Sequence, residues 1–148
     1  MSQETQKERE VQLVIFRLSQ EFYGLGIDVV QEIVTRREVT RLPSAPPFVS
    51  GIINLRGRVI PVIDLGMRLG LARSEDGDAT RIMVVEIAER VVGFVVDEVS
   101  EVLRVPLEQI DSPEAIMTGN VPTLLRGVAK VDERLVLLLD PLHLLAEM

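Results

Sequence analysis

The chain is two copies of one plan laid end to end, and this duplication limits its fold more than any other feature. Gly24, Asp28, Val30 and Glu32 read against Gly93, Asp97, Val99 and Glu101 at a constant offset of 69 residues. Farther along, Gly51, Arg58 and Asp64 read against Gly127, Arg134 and Asp140 at an offset of 76. The change in offset places an insertion in the second copy, around Gln109 to Thr123. Two copies make a paired unit and not a solenoid, which needs at least three repeats.

With 148 residues, the chain is one domain by length, large enough to bury roughly 68–70% of the surface it exposes when unfolded. A single copy of about 70 residues would be marginally stable, so the copies are expected to share an interface. The organisation predicted is a flexible tail over residues 1–10 and a domain over 11–148. Within it the first copy spans about 11–71 and the second about 80–148, joined by the polar stretch Ala72 to Ala79.

Each copy opens with a hairpin signal: Val11 to Leu18 with Phe22 to Ile27, and Arg81 to Ile87 with Val91 to Val96. Asp28 is read as the cap of a short helical segment, Val29 to Val34, because Val29, Val30 and Ile33 fall at helical spacing. Pro43-Ser44-Ala45-Pro46-Pro47 is a stiff loop leading to a second hairpin, Gly51 to Leu55 and Arg58 to Ile63, around Arg56-Gly57. Pro61 lies within that strand, which suits an edge or a bulge. Asp64 caps a helix from Leu65 to Leu69. In the second copy Glu101 to Pro106 is extended, Leu125 to Val131 and Arg134 to Leu139 form the closing hairpin, and Asp140-Pro141 starts a helix to Met148. Four or five short strands per copy with small helices predict an all-β fold of two small antiparallel barrels.

The charge and the residue inventory exclude several functions. A net charge of −7 opposes nucleic acid, whose phosphates need clustered Lys and Arg, and disfavours anionic membrane surfaces. Cysteine is absent, which removes disulfides and thiolate chemistry. No apolar run reaches the ~18 residues of a spanning helix, and the first ten residues are polar, so a cytoplasmic protein without direct membrane contact is expected. His143 is the only histidine and reads as a structural surface residue, since one histidine makes no metal site. Gly24-Leu25-Gly26 lacks the Lys and following helix of a phosphate loop. The matched pairs Asp64/Asp140 and Asp28/Asp97 read as helix caps. No catalytic constellation, cofactor site or metal site is expected, and a groove between rigid units suits a binding module.

Two residues stand apart. Arg56 sits at the tip of an apolar hairpin, where it is either a solvated turn residue or a guanidinium that docks a partner's carboxylate. Glu32 lies beside Val29, Val30 and Ile33, placing an acid against an aliphatic strip. A remote alternative is a small-molecule-binding barrel, or a hydrolase using Asp28 and Glu32.

The run from Phe48 to Leu65, with Gly51-Ile52-Ile53-Asn54-Leu55-Arg56-Gly57 at its centre, resembles the signature of the CheW family of bacterial chemotaxis coupling proteins. It is also similar to the regulatory domain of the chemotaxis kinase CheA. Tyr23-Gly24, Val30-Gln31-Glu32-Ile33, Arg90 to Asp97 and Leu135 to Leu145 extend the likeness over nearly the whole chain. The resemblance implies two SH3-like five-stranded barrels and no catalysis. It further implies an adaptor that links the cytoplasmic tips of chemoreceptors to the kinase's regulatory domain, in membrane-associated arrays. Carried over by position, Arg56 and Glu32 belong to binding surfaces, Val30, Ile33 and Val99 line the receptor groove, and Gly51 belongs to a region coupled to kinase binding. A coupling protein for a non-flagellar output, such as twitching, is the alternative within the same family. Arg58 and Arg68 add positive charge near the hairpin.

Overall fold

The structure is a computed structural model; it describes residues 9–72, 77–117, 119 and 122–146. The tail is therefore described only at Arg9 and Glu10, and residues 73–76 of the linker lie outside the described residues. Strands run in chain order as β1 (Glu10–Leu18), β2 (Glu21–Gly26), β3 (Val30–Thr35), β4 (Val49–Leu55), β5 (Arg58–Asp64), β6 (Arg81–Ile87), β7 (Arg90–Val96), β8 (Glu98–Pro106), β9 (Ile110–Asp111), β10 (Leu125–Val131) and β11 (Arg134–Leu139). Short helices are α1 (Leu65–Arg68), α2 (Pro113–Ile116) and α3 (Pro141–Leu144).

The strands form two barrel-like sheets, one ordered β8-β1-β2-β11-β10-β9 and the other β3-β6-β7-β5-β4. Neither sheet is built from one copy. The first takes the opening hairpin of copy one and the later strands of copy two; the second takes the reverse. The expectation that each copy supplies its own barrel is corrected accordingly. Both sheets share one parallel junction in an otherwise antiparallel frame, β2 on β11 and β7 on β5. There Gly24 pairs with Leu138 and Gly93 with Val62, two positions related by the repeat offsets.

The aliphatic composition resolves into three layers. Leu13, Ile15, Ala129, Val136 and Leu138 pack inside the first sheet, and Ile53, Leu55, Ile60, Val62 and Val84 inside the second. The largest cluster lies across both, joining Phe16, Leu18 and Leu25 to Met83, Phe94, Leu65 and Leu144. Alternation along each strand feeds one face to a barrel interior and the other to this shared layer. The copies expected to share an interface are instead interleaved in both sheets, and the largest cluster joins sheet to sheet.

Several local expectations change. Val30 to Val34 is strand and not helix. A single 3₁₀ turn (Ile27–Val29) precedes β3, and no side chain caps it, so Asp28 is not a cap. The β-branched run Val29, Val30, Ile33, Val34 favours an extended backbone, and pairing of Val30 through Thr35 with β6 decides the outcome. Asp97 is no cap either: its carboxylate accepts the Ser19 N–H at 2.6 Å and fixes the β1–β2 turn, where Ser19 has φ of 58°. Pro61 is not on an edge, since β5 lies between β4 and β7. The ladder to β7 covers only Val62 to Asp64, however, so Pro61 falls outside it.

Asp64 and Asp140 do cap helices. Asp64 accepts the Met67 N–H at 3.1 Å, and Asp140 accepts the Leu142 N–H at 3.0 Å. The final helix stops at Leu144, short of the predicted end. The insertion read from the offset change contains β9 and α2, which add a sixth strand to the first sheet.

Candidate protein-binding surface

The hairpin of β4 and β5 turns through Arg56 and Gly57, both with positive φ, 54° and 84°. That pair of angles is the two-residue turn whose twist matches the flanking strands. Asn54 secures it by accepting the Gly57 N–H on Oδ1 at 2.8 Å. The turn aims Arg56 outward, and its guanidinium donates to Glu32 Oε1. The two interface candidates singled out separately in the sequence, 24 residues apart, therefore meet as one ion pair between β3 and the hairpin tip. The Arg56 side chain remains 70% exposed. An exposed pair of this kind contributes about 0–1 kcal/mol to stability, so it orients two charges at a surface more than it holds the fold together. Gln31, Glu32, Arg56 and Arg58 share a concavity of about 260 Å³ with Leu55 and Val91.

Val30 and Val99 are half-buried, and both pack against the shared layer between the sheets. The aliphatic strip predicted for the groove is thereby placed at the seam. Ile33, next to Glu32, points outward and is exposed; its repeat counterpart Val102 is exposed as well.

Gly51 is buried. A Cβ there would stand 2.1 Å from the Thr40 carbonyl oxygen, and its φ of 147° suits glycine. The position lets Thr40 bridge to Ile52 through two hydrogen bonds of 2.8 Å. Gly51 thus shapes the surface by fixing the segment before the hairpin.

The sequence reading missed an ion pair in the first sheet, between Arg134 and Glu101. Arg134 also lies over the Phe22 ring, 4.4 Å from its centroid. The signal was present, because Glu101 matches Glu32 and Arg134 matches Arg58 across the repeats. Two strongly exposed apolar residues follow the same relation, Val59 at 64% and Leu135 at 60%.

Arg68 is not available to a partner's surface as its charge suggested. It donates to the carbonyls of His143, Leu144 and Ala146 at 2.9, 3.0 and 3.2 Å, closing the end of α3. His143 places Nδ1 3.0 Å from Asp140 Oδ2. Asp140 is partly desolvated, which raises its pKa, but its bonds and charge attraction with His143 and the Leu142 N–H outweigh this and lower it from 3.8.

Glu32 is engaged by Arg56 while Asp28 stands on an exposed turn, an arrangement that offers no acid–base pair. Among the described residues, no group of three or more His, Cys, Asp or Glu could hold a metal ion. Nor is any helix among them long and apolar enough to cross a membrane.

Twin intergrown barrels with an open charged turn and an aliphatic seam define a protein-interaction module. Comparison with known proteins assigns its family. The family model for the CheW-like domain matches residues 12–148, and the chain belongs to that family. It is similar to the chemotaxis protein CheW of Klebsiella aerogenes, 38% identical over 87% of this chain and 78% of that protein. It is similar also to the chemotaxis protein CheW of Treponema pallidum, 34% identical over 90% of this chain and 81% of that one. Among solved structures, the scaffolding protein TtCheW of Thermoanaerobacter tengcongensis superimposes with a TM-score of 0.80 at 37% identity, covering 88% of each chain.

Proposed function

We propose that this protein is a non-enzymatic adaptor of bacterial chemotaxis, coupling chemoreceptors to the histidine kinase CheA. Membership of the CheW-like family supports the coupling role. The observation that carries the assignment of surfaces is the meeting of Arg56 and Glu32 at the hairpin tip. In this reading the seam at Val30 and Val99, together with the exposed Ile33 of the same strand β3, takes an apolar helical segment of the receptor's cytoplasmic tip. The Arg56–Glu32 turn supplies charged recognition, and Gly51 fixes the neighbouring segment for the kinase's regulatory domain. A partner carboxylate that docks on Arg56 competes with Glu32, so recognition there is an exchange of salt bridges and depends on ionic strength. The protein works in the cytoplasm and reaches the membrane-associated arrays through the receptors.

Reconstitution tests the proposal. Receptor fragment, kinase and ATP are combined with and without the protein, and phosphorylation and co-sedimentation are measured. Coupling requires that kinase activity become receptor-dependent only when the protein is present; no change in either measurement refutes it. Arg56→Glu should weaken a partner complex by about 1–3 kcal/mol, the scale of a lost charged hydrogen bond, without altering the circular dichroism spectrum.

A further inference from the structure

We propose that the open end of the second sheet is a docking groove for an acidic peptide segment of a partner protein. The groove, about 580 Å³, is rimmed by Arg36, Arg37 and Arg41, with Val39, Met67 and Val95 among its apolar walls. All three arginines are exposed. They fall within six residues of a chain whose net charge is −7 and outnumber the nearby carboxylates Glu38 and Asp64, so the rim is locally basic. The one buried carboxylate of the groove, Asp64, accepts the Met67 N–H in its capping role. Glu38, the only acid between the arginines, is exposed and lines a neighbouring concavity, which Arg37 also borders.

The basic segment is held in place. Thr40 is clamped to Ile52 by its paired hydrogen bonds, and the missing side chain of Gly51 allows that approach. The arginines are therefore carried on a positioned segment, which lowers the entropy lost on engaging a ligand. In the first sheet, the offset of 69 places Val105 and Pro106 where Arg36 and Arg37 stand. Beyond them Asp111 of β9 pairs with Val128 as Thr40 pairs with Ile52 in the second sheet, so the arginines are what distinguish the two ends.

Guanidinium groups above an apolar wall suit carboxylates interleaved with aliphatic side chains, because Arg binds carboxylate in a planar fork and its stem tolerates apolar neighbours. An extended polyanion such as nucleic acid would use the rim but not the wall, and would meet repulsion from the rest of the chain. The inference goes beyond the coupling role and needs neither receptor nor kinase.

The test is a titration of the full, isotope-labelled protein at low salt with the peptide acetyl-Glu-Leu-Asp-Glu-Leu-Glu-amide, followed by NMR. Saturable shifts should concentrate at Arg37, Arg41, Val39 and Met67. The same peptide with all acids replaced by glutamine or asparagine should bind at least about tenfold more weakly, as should the Arg37→Gln/Arg41→Gln double variant, through loss of charge-assisted bonds. The variant's melting temperature serves as the folding control, with R37Q alone as the substitute if the double variant is unstable. Absence of localised shifts, equal binding of the neutral peptide, or unchanged affinity in the variant overturns the proposal. So does an oligonucleotide that binds this groove while the peptide does not. Failure here leaves the coupling role standing, and a failed reconstitution leaves the groove standing.

Discussion

The two sheets use one acid in two ways. Glu32 in the second sheet and Glu101 in the first occupy matched positions, yet the first bonds Arg56 at the hairpin tip and the second bonds Arg134, two residues later in the repeat register. Arg134 is drawn against the Phe22 ring and keeps only 31% exposure, while Arg56 stays mostly in solvent. The repeats thus keep an acid, a hairpin and the Arg58/Arg134 pair of positions. Glu32 takes the extra arginine at the turn, Arg56, where Glu101 takes Arg134, which makes one pair part of the packing and leaves the other at the surface. An ion pair with an aromatic ring beneath it is the one expected to matter for stability, whereas the open one is left for recognition.

The largest effects should come from what the two sheets share. Phe94→Ala removes a fully buried ring from the common layer and should cost about 3–5 kcal/mol. Urea unfolding followed by both fluorescence of Tyr23 and circular dichroism should show a single transition. Two separated transitions would break the idea that the barrels are one cooperative unit. Next, Gly51→Ala meets the Thr40 carbonyl, whereas Gly127→Ala meets Asp111 O at 3.1 Å and the Ile110 side chain at 3.0 Å. The first should destabilise by about 2–4 kcal/mol and the second by less, because the Thr40 carbonyl lies at 2.1 Å and Gly51 holds a positive φ, whereas the contacts at Gly127 begin at 3.0 Å. Equal losses in denaturant titrations would contradict it.

Smaller effects sharpen the comparison of ion pairs. Arg134→Met should cost about 1–2 kcal/mol and Arg56→Met about 0–1 kcal/mol, measured by the same titrations. Reversal of that order would mean the hairpin-tip pair is structural. The smallest effect concerns pH. Because the folded-state pKa of Asp140 is lowered, its contribution is present above the ordinary value of 3.8 and is lost as pH falls through the folded value. Asp140→Asn should therefore flatten part of the acid limb of the stability profile while leaving the profile above pH 6 nearly parallel to the unmodified protein. An unchanged acid limb would remove Asp140 from the account.

The hairpins were legible because their signals are local: alternating aliphatic residues on either side of Arg56-Gly57, and Asp before the helices at Leu65 and Pro141. The insertion was legible from a counting argument alone. The segment after Asp28 was misjudged because Val29, Val30 and Ile33 satisfy helical spacing and strand propensity at once, and only the partner strand β6, about fifty residues away, decides between them. Asp97 was misjudged for a related reason, as its bond to Ser19 joins residues 78 apart. Arg56 and Glu32 could each be suspected from sequence, but nothing in the spacing said they would touch.

What the sequence determined by itself was the inventory: a duplicated set of short strands, their turns and caps, an aliphatic interior, and a chain without thiols. These depend on neighbours within a few residues, where backbone preference and side-chain bonding act directly. Only the tertiary structure decided which copy's hairpin joins which sheet, which arginine answers each acid, and which groove the arginines after β3 rim. Those outcomes follow from long-range strand pairing and burial, whose energies are set by partners that the linear order does not name.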